Sequence, residues 1–153
     1  MDSPYIGCTQ FRLAHLLLEK TEEQGGLKKI NIDDHLKAAF TGNNDVLIPY
    51  LKGKKSFDEK EFRVVLACAA SDDTEAVGEY LKNNDIDRAS RDGVTMLMAA
   101  ASCGAVNGVE LLMKEGADLD KQDKDGSSAA VKAQEYREYD ILEKIKNSEG
   151  KSR

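Results

Sequence analysis

Residues 92–123 read DGVTMLMAAASCGAVNGVELLMKEGADLDKQD, and this stretch decides the fold. Asp92-Gly93 predicts a tight turn, because glycine adopts a positive φ at little cost. Thr95 is suited to the N-cap of a helix that starts after it. Gly104 fits the left-handed residue that ends such a helix. The stretch therefore begins with a turn that leads into a short helix.

Two apolar stripes follow this turn. Leu97, Ala100 and Ala101 recur at helical spacing in the first predicted helix, where two small alanines allow a neighbouring helix to pack closely. Gly116 ends the second predicted helix. The apolar stripe of that second helix consists of Val109, Leu111, Leu112 and Met113.

The same pattern returns 33 residues later, where Gly126 follows Gly93 and Ala133 follows Ala100 at that distance. A period of 33 residues with a turn and two short helices is the ankyrin period. Residues 92–123 closely resemble an ankyrin repeat. The positions that carry the resemblance are Gly93, Thr95, Leu97, Ala100, Ala101, Gly104, Val109, Leu111, Leu112, Gly116, Ala117 and Asp118.

This repeat departs from the family at two positions. Met96 and Met98 stand where the family has a proline at the helix start and a histidine that joins adjacent repeats. We expect a more apolar junction here, partly filled by adaptable methionine side chains.

Three weaker units flank this repeat. Residues 61–90 keep the order of two apolar helices, although the second helix is one residue short, and residues 33–54 form an N-terminal capping unit in which Pro49 marks a kink or an early end. Residues 123–146 form a C-terminal cap with a polar second helix. In this cap Arg137 replaces Gly104, and a left-handed conformation costs such a residue about 1–2 kcal/mol. The resemblance thus predicts an all-α solenoid of about four ankyrin repeats between Asn31 and Lys146.

Two segments fall outside the repeats. Residues 147–153 are predicted to be a flexible tail, and residues 1–30 an N-terminal segment with a helix from about Thr9 to Gln24. That helix is expected either to cover the first repeat or to be buried against a partner or a second copy of the chain. Its apolar face consists of Phe11, Leu13, Ala14, Leu16, Leu17 and Leu18.

Charge and composition exclude several classes of protein. With 22 Lys and Arg against 28 Asp and Glu, the net charge of −6 opposes general nucleic-acid binding. No apolar run approaches the roughly 18 residues of a membrane span. Cys8, Cys68 and Cys103 form no Cys-x-x-Cys pair, which indicates reduced thiols and a cytoplasmic protein.

The chain shows no pattern that predicts catalysis, a metal site or a cofactor. The acidic residues around Gly126 resemble a calcium loop, but such a loop needs acids where Lys121 and Lys132 stand. Phosphate-binding glycine loops, nucleophile elbows and zinc-protease motifs are absent from the sequence. We therefore expect no enzyme activity.

The resemblance implies binding to another protein through the turn tips and the exposed, concave side of the first helices. The tip positions are Arg91, Val94, Lys124 and Ser127. The positions expected to be exposed on the first helices are Met98, Ser102, Cys103, Val131, Glu135 and Tyr136.

The sequence therefore predicts a small stand-alone adaptor or inhibitor, present as a monomer or a weak homodimer, which binds neither nucleic acid nor membranes. One alternative is a bacterial effector or an immunity protein. Another is an assembly subunit that associates through the leucine-rich N-terminal helix. A third class, an enzyme without a recognisable motif, is disfavoured.

Overall fold

The computed structural model describes residues 35–39 and 42–151, with side chains described as far as residue 148. The predicted N-terminal segment, residues 1–30, lies outside these residues. An isolated bridge between Ala89 and Thr95 is the extended pairing within the described part of the chain. The helices there are α1 (residues 35–39), α2 (Asn44–Leu51), α3 (Glu59–Ala70), α4 (Thr74–Leu81), α5 (Met96–Cys103), α6 (Val106–Lys114), α7 (Ala129–Glu135) and α8 (Tyr139–Lys151).

These helices form two stacked layers. The first helices α3, α5 and α7 pack side by side, and the second helices α2, α4, α6 and α8 form the other layer. Each first helix also contacts its own second helix, as α5 contacts α6 and α7 contacts α8. This arrangement confirms the predicted all-α repeat solenoid.

Small residues form the contact between neighbouring first helices. Ala100 and Ala101 of α5 are fully buried, as are Ala69 of α3 and Ala133 of α7. Every residue of α5 is buried, and a helix of this kind must lie in the interior of the protein. The predicted close approach of the first helices therefore holds, with Met96 filling part of the junction.

The first helices begin in two different ways. The hydroxyl of Thr95 accepts a hydrogen bond from Met98 N at 3.3 Å, as the sequence predicted for α5. In contrast, α3 begins with a capping box, in which Asp58 Oδ1 accepts from Glu61 N (2.7 Å) and Glu61 Oε1 accepts from Asp58 N (2.9 Å). Consequently α3 has 12 residues and α5 has 8. The additional turn of α3 occupies the place that a turn tip takes in the next repeat.

Left-handed residues follow the first helices. They are Gly42, Asp72, Gly104 and Arg137, with φ values of 72°, 64°, 76° and 63°. The spacing of Asp72 and Gly104 is 32 residues, which explains the short second helix of residues 61–90. Gly104 has its predicted role, and Arg137 adopts the conformation that was expected to be unfavourable for it.

Asp72 combines this conformation with a contact between repeats. Its Oδ1 accepts a hydrogen bond from Gly108 N at 2.6 Å, and its Oδ2 accepts one from Asn107 Nδ2 at 3.1 Å. The N-cap residue of α6, Ala105, makes no side-chain cap of its own. The carboxylate of Asp72 therefore caps α6 from the preceding repeat.

Aromatic side chains join the first two repeats. Tyr50 and Tyr80 both contact Phe57, with ring centroids 6.3 and 5.3 Å apart, and Phe62 lies 6.3 Å from Tyr80. Lys54 Nζ lies 5.1 Å from the centre of the Phe57 ring. These contacts anchor the loop between α2 and α3, and the family pattern offered no indication of them.

The two ends of the described region differ in part from the sequence prediction. Pro49 lies within α2, which ends two residues later at Leu51, as an early end requires. At the other end, α8 continues to Lys151 and passes the predicted boundary at Lys146. The buried Ile141 and Ile145 hold α8 against the rest of the solenoid.

Two substitutions separate the strain of a left-handed residue from its contacts. Arg137→Gly should raise the free energy of unfolding by about 0.5–1 kcal/mol, since relief of strain exceeds the entropic cost of glycine. Asp72→Gly should lower it by about 1–2 kcal/mol, because the cap on α6 is lost. Urea unfolding measures both variants, and stabilisation by Asp72→Gly would contradict the capping role.

Candidate protein-binding surface

The turn before α5 is closed by backbone and side-chain hydrogen bonds. Ser90 N donates to Val94 O at 2.9 Å, and Gly93 N donates to Ser90 O at 2.8 Å. The Ser90 hydroxyl also accepts from the amides of Asp92 and Val94, at 3.3 and 3.2 Å. Arg91 lies at the exposed end of this turn, and its amide donates to Glu59 Oε2 at 2.6 Å.

The turn before α7 is built in the same way around Asp123. Asp123 N donates to Ser127 O at 3.0 Å, and Asp123 Oδ1 accepts from the amides of Asp125 and Ser127, both at 2.9 Å. Asp123 Oδ2 pairs with Lys132 Nζ at 2.7 Å, and its side chain is only 4% exposed. Although burial opposes ionisation, the hydrogen bonds from Lys132 and the two amides lower the pKa of Asp123.

The two turns touch each other. Lys124 N donates to Asp92 O at 2.9 Å, and Lys124 Nζ pairs with Asp92 Oδ1 at 3.1 Å. The hydrogen bond from Asp92 raises the pKa of Lys124. A Cβ atom on Gly93, where φ is 84°, would lie 2.8 Å from Asp123 Cα, so this position requires glycine. The contact fixes the spacing of the two tips.

Seven of the ten predicted site residues are at least partly accessible. Val131 is 39% exposed. Its position corresponds to Met98 of the preceding repeat, 33 residues earlier, and no described repeat packs on it. The accessible members are Arg91, Lys124, Val131 and Glu135, which are exposed, together with Val94, Ser127 and Tyr136, which are half-buried.

The expected exposure of Met98 is wrong. Its side chain is 1% exposed, because it lies on the side of α5 against which α7 packs. The corresponding Val131 shows what this position looks like when no further repeat follows. A residue on this side of a first helix belongs to the contact between repeats.

The expected exposure of Ser102 and Cys103 is also wrong, since they are 2% and 7% exposed. The hydroxyl of Ser102 donates to Ala99 O at 3.1 Å, within its own helix. Tyr136 lies close to Cys103, and burial together with neighbouring charges raises the pKa of Tyr136. The tyrosine ring thus covers part of the position that was expected to be accessible.

Chemistry beyond binding finds little support in the described residues. There, no group of three or more His, Cys, Asp and Glu side chains is placed to hold a metal ion. Burial keeps the thiol of Cys68 protonated by raising its pKa, and His35 stacks on Tyr50 at 4.0 Å. None of the helices between residues 35 and 151 is long and apolar enough for a membrane span.

The outer side carries an open cleft of about 380 Å³ between α6 and α8. Its lining residues are Val106, Asp140, Glu143, Lys144 and Asn147. Lys144 is already paired with Glu110 at 2.6 Å. The cleft combines no nucleophile with a base, so it offers no catalytic arrangement.

Removal of the partner of Asp123 should destabilise the fold in a pH-dependent way. Lys132→Met leaves a charged carboxylate without its ion pair and should lower the free energy of unfolding by about 1–3 kcal/mol at pH 7. Because the pKa of Asp123 in the folded state lies below its ordinary value of about 3.9, the ion pair contributes fully above that pH and is lost as the pH falls through the lowered pKa.

The difference between the wild type and Lys132→Met should therefore narrow between about pH 4 and pH 2. Urea unfolding at a series of pH values measures it. Lys121→Met, at an exposed lysine, serves as the control and should have little effect. A difference that stays constant down to pH 2 would refute the assignment.

Comparisons with known proteins agree with this architecture. A model of ankyrin repeats matches residues 35–123 and 65–150, with three copies. The potassium channel AKT1 of Oryza sativa subsp. indica, like that of subsp. japonica, is 40% identical over 78 residues, which cover 49% of this chain. The chain spans 8% of the length of these channels.

A solved structure shares the fold at lower sequence identity. It contains the Bd0816 predatory endopeptidase from Bdellovibrio bacteriovorus in complex with immunity protein Bd3460. The match has a TM-score of 0.53 and 23% identity, and it covers 55% of this chain and 45% of the other. Paired helices at a period of 32 to 33 residues, together with the match over residues 35–150, show that the chain belongs to the ankyrin-repeat family.

Proposed function

We propose that this chain is a small protein-binding module that acts as an adaptor or as an inhibitor covering a partner's surface. Ankyrin repeats imply interaction with other proteins. The proposed surface runs from the two coupled tips to the exposed side of α7. Its members are Arg91, Val94, Lys124, Ser127, Val131, Glu135 and Tyr136.

The observation that carries this proposal is the rigid alignment of two turn tips next to an accessible first helix. The hydrogen bond and the ion pair between Lys124 and Asp92 hold the tips in register. A surface that is already ordered loses little entropy when a partner binds. Rigid tips thus favour tight binding without rearrangement.

The side chains on this surface suit a partner of mixed chemistry. Arg91 offers a cation that is exposed to solvent, and Val131 offers an apolar contact. Tyr136 adds a half-buried ring, and Arg and Tyr often dominate binding energies at protein interfaces. We expect a partner with an acidic group opposite Arg91 and an apolar group opposite Val131.

An immunity-type inhibitor is the second candidate. The fold shared with a chain of the endopeptidase–immunity complex favours it only as far as the architecture goes. In this role the chain would cover the active site of a partner enzyme and would itself need no catalytic residue. The buried, protonated thiol of Cys68 fits a reducing compartment such as the cytoplasm.

A photo-crosslinking amino acid would identify the partner. One variant carries it at Val131 and the other at Val46, which is equally exposed at 39% but lies on a second helix. A protein from the native host that is crosslinked from position 131 and not from position 46 is a candidate partner. Equal capture from both positions would contradict the proposed surface.

Two matched double variants then test the energetics. Arg91→Glu with Val131→Asp should weaken binding of the identified partner at least tenfold, which corresponds to about 1.4 kcal/mol. Lys114→Glu with Val46→Asp makes the same chemical changes on the second helices and should leave the affinity unchanged. Titration calorimetry measures both, and a larger loss in the second variant would show that the partner binds the other side.

A further inference from the structure

The side of α5 that faces away from its own second helix is closed to solvent. Successive residues of an α-helix are 100° apart, so Ala99 and Ser102 lie about 200° around the axis from Leu97 and Ala100. Leu97 and Ala100 belong to the core shared with α6. Ala99 and Ser102 therefore lie on the concave side, and they are only 1% and 2% exposed.

The preceding first helix shows the same feature. At the 32-residue spacing, the corresponding positions in α3 are Ala67 and Ala70, which are 0% and 4% exposed. We call Ala67, Ala70, Ala99 and Ser102 the concave floor. Among the described helices, α5 has its main contacts with α3, α6 and α7, which flank it or lie behind it. The floor is thus a row of small side chains closed to solvent on the side opposite the second helices.

We propose that the concave floor is covered by this chain's own N-terminal segment, as a helix from about Thr9 to Gln24. Residues 1–34 lie outside the described part of the chain, and the helix is inferred from the sequence alone. Its leucines are large, whereas the floor residues are small. Large side chains that face small ones at close distance interdigitate well.

The dimensions fit this arrangement. A helix of 16 residues is about 24 Å long at 1.5 Å per residue. Neighbouring first helices lie about 8–10 Å apart, so such a helix can cross α3, α5 and the edge of α7. Residues 25–34 connect it to α1, and ten extended residues reach about 33 Å. The segment can therefore reach the floor of its own chain.

Charge also favours this occupant over a polar ligand. The floor carries no charged side chain, whereas the corresponding positions in α7 are Lys132 and Glu135. An apolar helix face would thus lie over α3 and α5 and would end at the polar fourth repeat. A partner would then meet the tips and α7 directly and would have to displace the segment to reach the floor. This inference does not depend on the proposed function.

Thiol labelling tests the proposal in the full chain. In a Cys8→Ser background two thiols remain, Cys103 next to the floor and Cys68, which is 1% exposed inside α3. Leu13→Lys with Leu17→Lys places charges at the centre of the apolar face of the N-terminal helix. We expect the labelling rate of Cys103 to rise at least fivefold, while that of Cys68 stays slow.

Glu19→Lys with Glu23→Lys is the matched control, because these residues lie on the opposite side of the same predicted helix. It should leave both rates unchanged. An unchanged Cys103 rate in the leucine variant would refute the proposal. A parallel rise of both rates would also refute it, because the segment would then be part of the core. Protection of Cys103 that increases with protein concentration would assign the cover to a second copy instead.

Discussion

The close approach of the first helices is the constraint on which the rest of the structure depends. Ala69, Ala100 and Ala133 are fully buried where α3, α5 and α7 meet, and only small side chains allow helices to pack at this distance. In a repeat protein each unit contacts only its neighbours, so stability comes from these successive junctions. The spacing of the first helices also sets the spacing of the turn tips.

The polar contacts between repeats follow from this spacing. Asp72 reaches the start of α6 only because α3 and α5 lie side by side, and Lys124 reaches Asp92 for the same reason. These contacts join the two layers and hold the tips in line. The proposed binding surface is therefore a consequence of helix packing, since its residues lie on elements that the alanine junctions position.

Local chemistry was predictable from the sequence, and contacts between repeats were not. The N-cap at Thr95 and the left-handed Gly104 depend on neighbouring residues, and both were predicted correctly. The capping box of Asp58 and Glu61 follows a recognisable spacing but was missed. Asp72 was not identified because its hydrogen bonds go to the next repeat. The burial of Met98 could not be inferred because it depends on α7.

The most direct test of this account is the free energy of unfolding of Ala100→Leu. The added side chain has no space between α3, α5 and α7, so the variant should lose about 1–3 kcal/mol. Val106→Leu, at a half-buried position on α6, adds a methylene outside these junctions and should unfold like the wild type. An Ala100→Leu variant as stable as the wild type would show that close packing of the first helices does not hold this fold together.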